Sequence, residues 1–236
     1  MGLVVLQYNT YMKLVTFQSL DALRRLTSNG YLDCDPKYIN KKKIGVIYDW
    51  VVEKMSERIK NPKSDKYPIW AWVKCYDGIC PVPINNKPKV EGFDVKITFH
   101  KPKEEVFVTD YRRFSFLLSN LYIPNSKNDL EDFNRRLKEA NITEEELKAF
   151  VRLDKYSNHR VDDTYLQICS EIRKSFDRCI TDKSDVLQAC VWRIYLPEVE
   201  NIEILEDDGK CYGSLNYTRD DGSRFDWHKD FYKKLK

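Results

Sequence analysis

Polar side chains stand at three places where the sequence predicts a strand to end, which is where binding and catalytic groups are usually displayed. The first is Thr16-Phe17-Gln18, a strand that runs into the start of a helix. The hydroxyl of Thr16 and the amide of Gln18 are suited to hydrogen bonds with a ligand's amide or ribose. Gln18 and Ser19 are also suited to capping the helix, so the segment has a ligand-binding and a structural interpretation.

Trp70 and Trp72 form the second place. Side chains alternate between the two faces of a strand, so tryptophans two positions apart share one face and are able to stack on a flat ring. Packing in a hydrophobic core explains them equally well. Lys66, Tyr67 and Lys74 flank the pair, and this mixture of basic and aromatic residues is also typical of a nucleic-acid platform.

The third place joins Thr109-Asp110, at the end of one predicted strand, with Asp185 and Gln188, at the start of a later one. A carboxylate in such a position serves as a base or orients a ribose hydroxyl. Asp110 is equally suited to capping the helix that begins at Tyr111, and capping is the favoured interpretation.

Several common catalytic motifs are missing from the sequence. The eight glycines form neither GxGxxG nor GxxxxGK, and there is no HExxH and no GxSxG, so the familiar hydrolases and NTPases are disfavoured. The three histidines, His100, His159 and His228, are far apart in the chain. We expect His100 and His159 to be solvated rather than catalytic, and we expect no metal site.

The overall charge gives no reason to expect a polyanionic partner. Lys and Arg number 40 and Asp and Glu 37, which leaves a net charge of +3, so any basic site must be local. The apolar start of the sequence is short and carries no basic leader, and no stretch approaches the roughly 20 apolar residues of a membrane span. We therefore expect a cytoplasmic protein with no membrane partner.

The seven cysteines are odd in number and include no CxxC pair and no zinc spacing. Most are expected to be reduced, buried and chemically quiet, as small hydrophobic residues. Cys75 and Cys80, with four residues between them across a predicted turn, are either a redox pair or two thiols at the edge of a loop.

The first 60 residues are predicted to form a strand and two helices. Residues 14–17 have the composition of a strand, Ser19 is placed to cap a helix, and Gly30 is placed to end it. A lysine-rich connection at 41–43 leads to a second helix, in which apolar residues recur at helical spacing over 47–59.

Residues 111–180 are predicted to be largely helical. Thr143 and Glu146 have the spacing of a capping box, and Thr164 and Gln167 repeat it more weakly.

The remaining elements are predicted strands. Residues 95–108 are predicted to form a hairpin with one wet face, and residues 189–196 a single strand at the centre of the sheet. Turns at Asp208-Gly209 and Asp221-Gly222 predict a β meander at the C-terminus. Together these elements predict one α+β domain over residues 1–236, with a mixed or split antiparallel sheet.

The motifs resemble those of a family of uncharacterised bacterial proteins of unknown function. That family shares an opening T-x-Q, a Tyr-x-Trp helix, a P-I-W-A-W strand, an S/T-D-aromatic segment and a late Q-A-x-x-W strand. The matching residues lie within about residues 13–205 and are Thr16-Phe17-Gln18, Tyr48-Asp49-Trp50, Pro68 to Trp72, Thr109-Asp110-Tyr111 and Gln188 to Trp192. The resemblance implies no activity.

The order of these motifs is also similar to that of ADP-ribosyltransferases, in which NAD sits in the cleft of a split sheet. The resemblance implies that Thr16 and Gln18 hold the nicotinamide ribose or amide and that Trp70 or Trp72 lines the cleft. Gln188 takes the place of the catalytic glutamate that opens a late strand in that family.

Gln188 is a serious departure from that pattern. A neutral amide cannot supply the negative charge that stabilises an oxocarbenium-like transition state. Either Asp110 or Asp185 must supply it, or the site binds NAD without catalysis.

Two classes of function therefore follow from the sequence. One is an NAD-dependent ADP-ribosyltransferase-like protein that modifies nucleic acid or protein. The other is a non-catalytic module that binds nucleic acid or another protein. The nucleic-acid version uses lysines at 41–43, the Trp70 and Trp72 strand, and the basic tail at 229–236.

Overall fold

A computed structural model describes residues 11–39, 41–61, 67–73, 94–119, 121–143, 146–147, 162–184, 186–205 and 211–216. The chain forms two compact units. The sheet unit comprises Met1–Asp35, Met55–Phe107 and Leu187–Lys236, and the helical unit comprises Pro36–Lys54 and Val108–Val186. The fold is α+β, as predicted, and a single domain over residues 1–236 stays a prediction.

The elements of the described residues are named here in chain order. The strands are β1 (Tyr11–Gln18), β2 (Tyr31–Asp33), β3 (Ile69–Val73), β4 (Val95–Pro102), β5 (Phe107–Asp110), β6 (Leu187–Val191), β7 (Arg193–Tyr195), β8 (Val199–Leu205) and β9 (Cys211–Asn216). The helices are α1 (Leu20–Asn29), α2 (Lys41–Ser56), α3 (Tyr111–Leu118), α4 (Lys127–Glu139) and α5 (Asp163–Ser175).

An antiparallel sheet with the strand order β6-β3-β1-β4-β8-β9 organises the sheet unit. Its longest ladder joins β1 to β4, from Tyr11 opposite Pro102 to Gln18 opposite Val95. β8 and β9 form the first hairpin of the predicted meander. The predicted turn at Asp208-Gly209 and everything after residue 216 lie outside the described residues.

The two faces of this sheet differ in burial. Register partners share a face, so Leu14, Ala71, Ile97 and Ala189 lie together, and all four are 0% exposed. We call this the core face. The opposite face, called here the tryptophan face, carries Val15 and the half-buried Trp70, Trp72 and Gln188.

Helix α1 begins and ends as the sequence predicts. The Ser19 side chain accepts a hydrogen bond from the Ala22 N–H, and Gly30 follows the helix in the left-handed conformation at φ 78°. The Gly30 N–H donates to the Leu26 carbonyl at 3.0 Å, which satisfies one of the carbonyls left open at a helix end.

The predicted hairpin over residues 95–108 is wrong. β4 has β1 on one side and β8 on the other, so both of its edges are occupied and β5 is not its partner. The chain turns after β4 through a short 3₁₀ segment at Lys103–Glu105. Pairing with β1 and β8 is long-range, and a turn signal between two strands says nothing about such partners.

The predicted single strand over residues 189–196 is also wrong, because it breaks at Trp192. The Trp192 side chain is 3% exposed, and its indole N–H donates to the Ile59 carbonyl at 3.2 Å. After the break, β7 leaves the large sheet and pairs with β2 in a separate two-stranded ribbon. Arg193 holds that ribbon through two hydrogen bonds to the Asp33 carboxylate, at 2.7 and 2.9 Å.

The helical unit contains α3, α4 and α5 within the predicted helical stretch. The predicted capping box is present, because Thr143 Oγ1 accepts from the Glu146 N–H and the Glu146 carboxylate accepts from the Thr143 N–H. The weaker box at Thr164 is replaced by Asp162, which caps α5 by accepting from the Tyr165 N–H. Residues 41–43, predicted as a connection, form the first turn of α2.

Replacing Gly30 tests how far the end of α1 depends on a left-handed residue. A Cβ at this position would meet no atom within 4 Å, so the effect of Gly30→Ala is conformational rather than steric. We expect a loss of about 1 kcal/mol in the free energy of unfolding, measured by urea denaturation. Gly30→Asn should lose less, because Asn adopts this conformation more readily, and equal losses would contradict this explanation.

A β-bulge places Glu200 beside Lys13 and His100. Thr98 is opposite Asn201 and Phe99 is opposite Val199, so Glu200 is the extra residue of β8. Burial raises the pKa of the Glu200 carboxyl, but hydrogen bonds from Lys13 and His100 outweigh this and hold that pKa below its ordinary value of 4.5.

The depressed pKa of Glu200 predicts a pH-dependent contribution to stability. The contribution is present above pH 4.5 and is lost as the pH falls through the folded-state pKa, because the unfolded state then binds the proton more tightly. Urea denaturation of wild type and Glu200→Gln between pH 3 and 7 checks this. The difference between the two proteins should shrink at acid pH, and a constant difference would refute the assignment.

Candidate functional site

The large sheet is split between β1 and β3. Within the described residues, these strands share the register pairs Leu14 with Val73 and Val15 with Trp72. The register of β1 and β3 reaches Val15 and Trp72 and does not continue to Thr16 and Ala71. The residues of β1 beyond Val15 remain paired with β4, while Ile69 to Trp72 remain paired with β6. The two halves of the sheet therefore separate at the T-x-Q segment.

A hydrogen-bond relay crosses this split. The Thr16 hydroxyl donates to the Trp70 carbonyl at 2.7 Å, and the Gln18 amide Nε2 donates to Thr16 Oγ1 at 2.8 Å. A carbonyl only accepts, so the Thr16 hydrogen must point to Trp70 and its oxygen must accept from Gln18. The relay thereby fixes which end of the Gln18 amide faces Thr16, an orientation that a side-chain amide alone would leave open.

Gln188 lies directly opposite Trp72, and Trp70 lies opposite Cys190, in the ladder between β3 and β6. The three predicted site residues Trp70, Trp72 and Gln188 therefore share the tryptophan face. The Gln188 Oε1 atom is buried and has no hydrogen-bond partner within the described part of the chain. An unsatisfied buried acceptor costs about 1–3 kcal/mol, so this position favours a donor from outside the described residues.

Thr16 and Gln18 lie on the core face. Val15 shares the tryptophan face with its partner Trp72, and residues one and three positions further along β1 point the other way. Thr16 is 1% exposed, and its one hydrogen is committed to Trp70. The structure thus brings the T-x-Q segment and the Trp70 backbone together, while the side chains of the two motifs face opposite sides.

Asp110 caps a helix, as the structural interpretation of the sequence proposed. Its carboxylate accepts a hydrogen bond from the Arg113 N–H at 3.1 Å at the start of α3. The Arg113 guanidinium in turn donates to the Arg178 carbonyl at 2.8 Å, within the same helical unit. Asp185, the other predicted source of negative charge, lies outside the described residues.

Lys101 is a buried charged residue that the sequence did not single out. Its side chain is 2% exposed, and its ammonium group lies 2.7 Å from the Glu198 carboxylate and 3.0 Å from that of Glu105. The Tyr195 ring is 5.0 Å from the same nitrogen. The sequence could have indicated that Lys101 is buried, because Lys101 continues the alternation of Val95, Ile97 and Phe99 on the core face.

The described cysteine side chains lack the exposure and the lowered pKa of a nucleophilic thiol. Cys169, Cys179 and Cys190 are buried and all three are free thiols, as is Cys34. Burial, with help from Asp35, raises the pKa of Cys34 to about 11. Burial also raises the pKa of Cys179 to about 12, so both remain protonated at neutral pH. Cys75 and Cys80 lie outside the described residues.

The predicted basic surface cannot be assembled from the described residues. Lys66, Lys74 and the tail at 229–236 lie outside them, and the side chains of residues 41–43 are not described either. His100, half-exposed, contacts Glu200, and His159 and His228 lie outside the described residues. The nucleic-acid surface therefore stays a prediction.

The fold and the site define an α+β protein whose antiparallel sheet splits beside a pair of tryptophans. The chain belongs to the family described as a domain of unknown function, DUF3841, whose model matches residues 13–200. This range contains all the motifs on which the sequence resemblance rests. No curated protein and no solved structure is significantly similar to the chain. None of the helices within the described ranges is long and apolar enough to cross a membrane.

Asp110 variants separate capping from catalysis. Asp110→Ala should lower the free energy of unfolding by about 1 kcal/mol, because α3 loses its N-cap. Asp110→Asn should retain nearly all the stability, since Asn caps a helix as well as Asp does. Thermal and urea denaturation measure both, and an Asn variant as unstable as the Ala variant would exclude simple capping.

Proposed function

We propose that the protein binds NAD in an ADP-ribosyltransferase-like site at the split between β1 and β3. The observation that carries the proposal is the unsatisfied, buried amide oxygen of Gln188, directly opposite Trp72. In this site the nicotinamide ring lies against the tryptophan face, and its carboxamide N–H donates to Gln188 Oε1.

The chemistry of the nicotinamide end fits these residues. A flat ring stacks favourably on an indole, with about 1–3 kcal/mol per stacked base when nucleic-acid bases are taken as a guide. Trp70 and Trp72 are half-buried, so their rings contribute both apolar packing and a surface beside Gln188. A neutral amide acceptor favours a neutral carboxamide over a carboxylate, because a carboxylate has no hydrogen to donate.

The same residues argue for binding with little transfer. Transfer breaks the bond between nicotinamide and the ribose carbon, and a nucleophile of the acceptor bonds to that carbon and loses its proton. Positive charge grows on the ribose meanwhile, and Gln188 carries no charge to stabilise it. Asp110 is committed to capping α3. We therefore propose NAD binding as the primary property, with nucleic acid or protein as the acceptor if transfer occurs.

Binding of NAD predicts a rise in thermal stability that depends on Gln188. A ligand at one hundred times its Kd adds about 2.7 kcal/mol to the free energy of unfolding. Millimolar NAD should therefore raise the Tm of wild type, and Gln188→Ala should abolish the rise. Gln167→Ala, on the exposed side of α5, is the matched control and should respond as wild type does.

Two further measurements sharpen the outcome. Nicotinic acid should shift the Tm far less than nicotinamide does, and Gln188→Glu should increase nicotinamide release from NAD, because it supplies the missing carboxylate. An unchanged wild-type Tm at millimolar NAD would dispose of the proposal. Salt-dependent binding of single-stranded nucleic acid in that case would favour the non-catalytic module instead.

A further inference from the structure

We infer that the adenosine half of NAD crosses the tryptophan face from β3 to β8, with its diphosphate beside two lysines and its adenosine ribose beside two glutamates. These four residues, called here the adenosine site, are Lys13, Lys96, Glu200 and Glu203. The path rests on the proposed function, because it begins with the nicotinamide bound at Trp72 and Gln188.

A row of register partners leads away from the tryptophans across the sheet. Val15 of β1 lies opposite Trp72, and Thr98 of β4 lies opposite Val15. Asn201 of β8 lies opposite Thr98, so all four residues share the tryptophan face. Neighbouring strands are about 4.8 Å apart, and the row therefore extends about 14 Å from β3 to β8. An extended dinucleotide is long enough to follow this row.

Ion-paired side chains border the row on both sides. On one side, Lys96 and Glu203 are register partners, and their charged groups lie 3.0 Å apart. On the other side, Lys13 is the register partner of His100, and Glu200 accepts hydrogen bonds from both. Lys13, Lys96 and Glu203 each lie two positions from a residue of the row along their strands, so they share its face. Each side of the row therefore offers one lysine and one glutamate.

The order of these groups across the sheet matches the order of groups along NAD. The amide of Gln188 and the two indoles lie on β6 and β3, the two ammonium groups on β1 and β4, and the two carboxylates on β8. In NAD, the carboxamide and the ring are followed by a ribose, the diphosphate and the adenosine ribose. Ammonium groups bind phosphate, and carboxylates accept hydrogen bonds from ribose hydroxyls. One extended ligand thus meets a suitable partner on each strand.

The ion pairs leave these groups able to bind a ligand. An ammonium group has three hydrogens and a carboxylate about four acceptor positions, so one ion pair uses only part of either. The side chains of Lys13 and Glu200 are 35% and 42% exposed, and those of Lys96 and Glu203 are 31% and 21% exposed. Each glutamate also holds its lysine beside the row, which reduces the entropy lost when the lysine binds a phosphate.

The balance of charge favours a dinucleotide over a nucleic acid. Two lysines and two glutamates have no net formal charge, whereas a polynucleotide is bound through an excess of cations. A diphosphate followed by free ribose hydroxyls needs both signs in the order found here. The glutamates also favour NAD over NADP, because the 2′-phosphate of NADP would lie beside two carboxylates.

Comparison of NAD with nicotinamide riboside, which lacks the diphosphate and the adenosine, tests the adenosine site. In isothermal titration calorimetry of the full chain, NAD should bind about tenfold more tightly than nicotinamide riboside. Lys96→Met should remove most of this advantage and leave the affinity for nicotinamide riboside unchanged, and Lys13→Met should do the same. Lys127→Met is the matched control, because Lys127 is also paired with a glutamate but lies on α4 in the helical unit.

NADP supplies the second comparison. Wild type should bind NADP about tenfold more weakly than NAD, because like charges then lie together. Glu203→Gln should narrow this difference, since a neutral amide does not repel the 2′-phosphate. Glu139→Gln, an exposed glutamate of α4, should discriminate between the two ligands as wild type does.

The outcomes distinguish the adenosine site from the nicotinamide site. Equal affinities for NAD and nicotinamide riboside, unchanged in Lys96→Met, would overturn the adenosine site and leave the nicotinamide site standing. Binding of ADP-ribose that Lys96→Met weakens, without binding of nicotinamide riboside, would support the adenosine site and refute the nicotinamide site. Absence of binding by all three compounds would refute both. If Lys96→Met fails to fold, Lys13→Met on the neighbouring strand decides the same question.

Discussion

Nearly every buried backbone carbonyl in a folded chain has a hydrogen-bond donor, and this requirement acts most sharply where two paired strands separate. At Trp70 a side chain serves as such a donor, because the Thr16 hydroxyl donates to the Trp70 carbonyl at 2.7 Å. The bond joins β1, which is paired with β4, to β3, which is paired with β6. The position of the tryptophans, and of Gln188 across from them, depends on where that separation occurs.

The two faces of the sheet differ in what they contribute to the protein. The core face carries aliphatic side chains that are fully buried, and it provides the apolar burial that stabilises the sheet unit. The tryptophan face keeps half-buried aromatic rings and an unsatisfied amide oxygen. A half-buried face contributes less to the stability of the protein than a fully buried face does. This is usual where a binding surface lies on a stable scaffold.

Local signals in the sequence predicted local structure well. Ser19 and Gly30 bounded α1 because capping and left-handed turns depend on single residues, and alternation alone placed Trp70 and Trp72 on one face. Partners could not be predicted in the same way. The predicted hairpin over 95–108 was wrong because β4 pairs with strands far along the chain. The place of Gln188 opposite Trp72 likewise depends on a register that only the assembled sheet defines.

The buried Lys101 has a consequence for how the sheet chooses its register. A slip of one residue between β4 and β8 would carry this ammonium group away from Glu198, which directly precedes β8, whereas Glu105 lies four residues along the same chain and would stay close. Separating a buried charge from its partners is far more costly than misplacing an aliphatic side chain. The ion pair of Lys101 with Glu198 therefore disfavours misaligned pairing of β4 with β8.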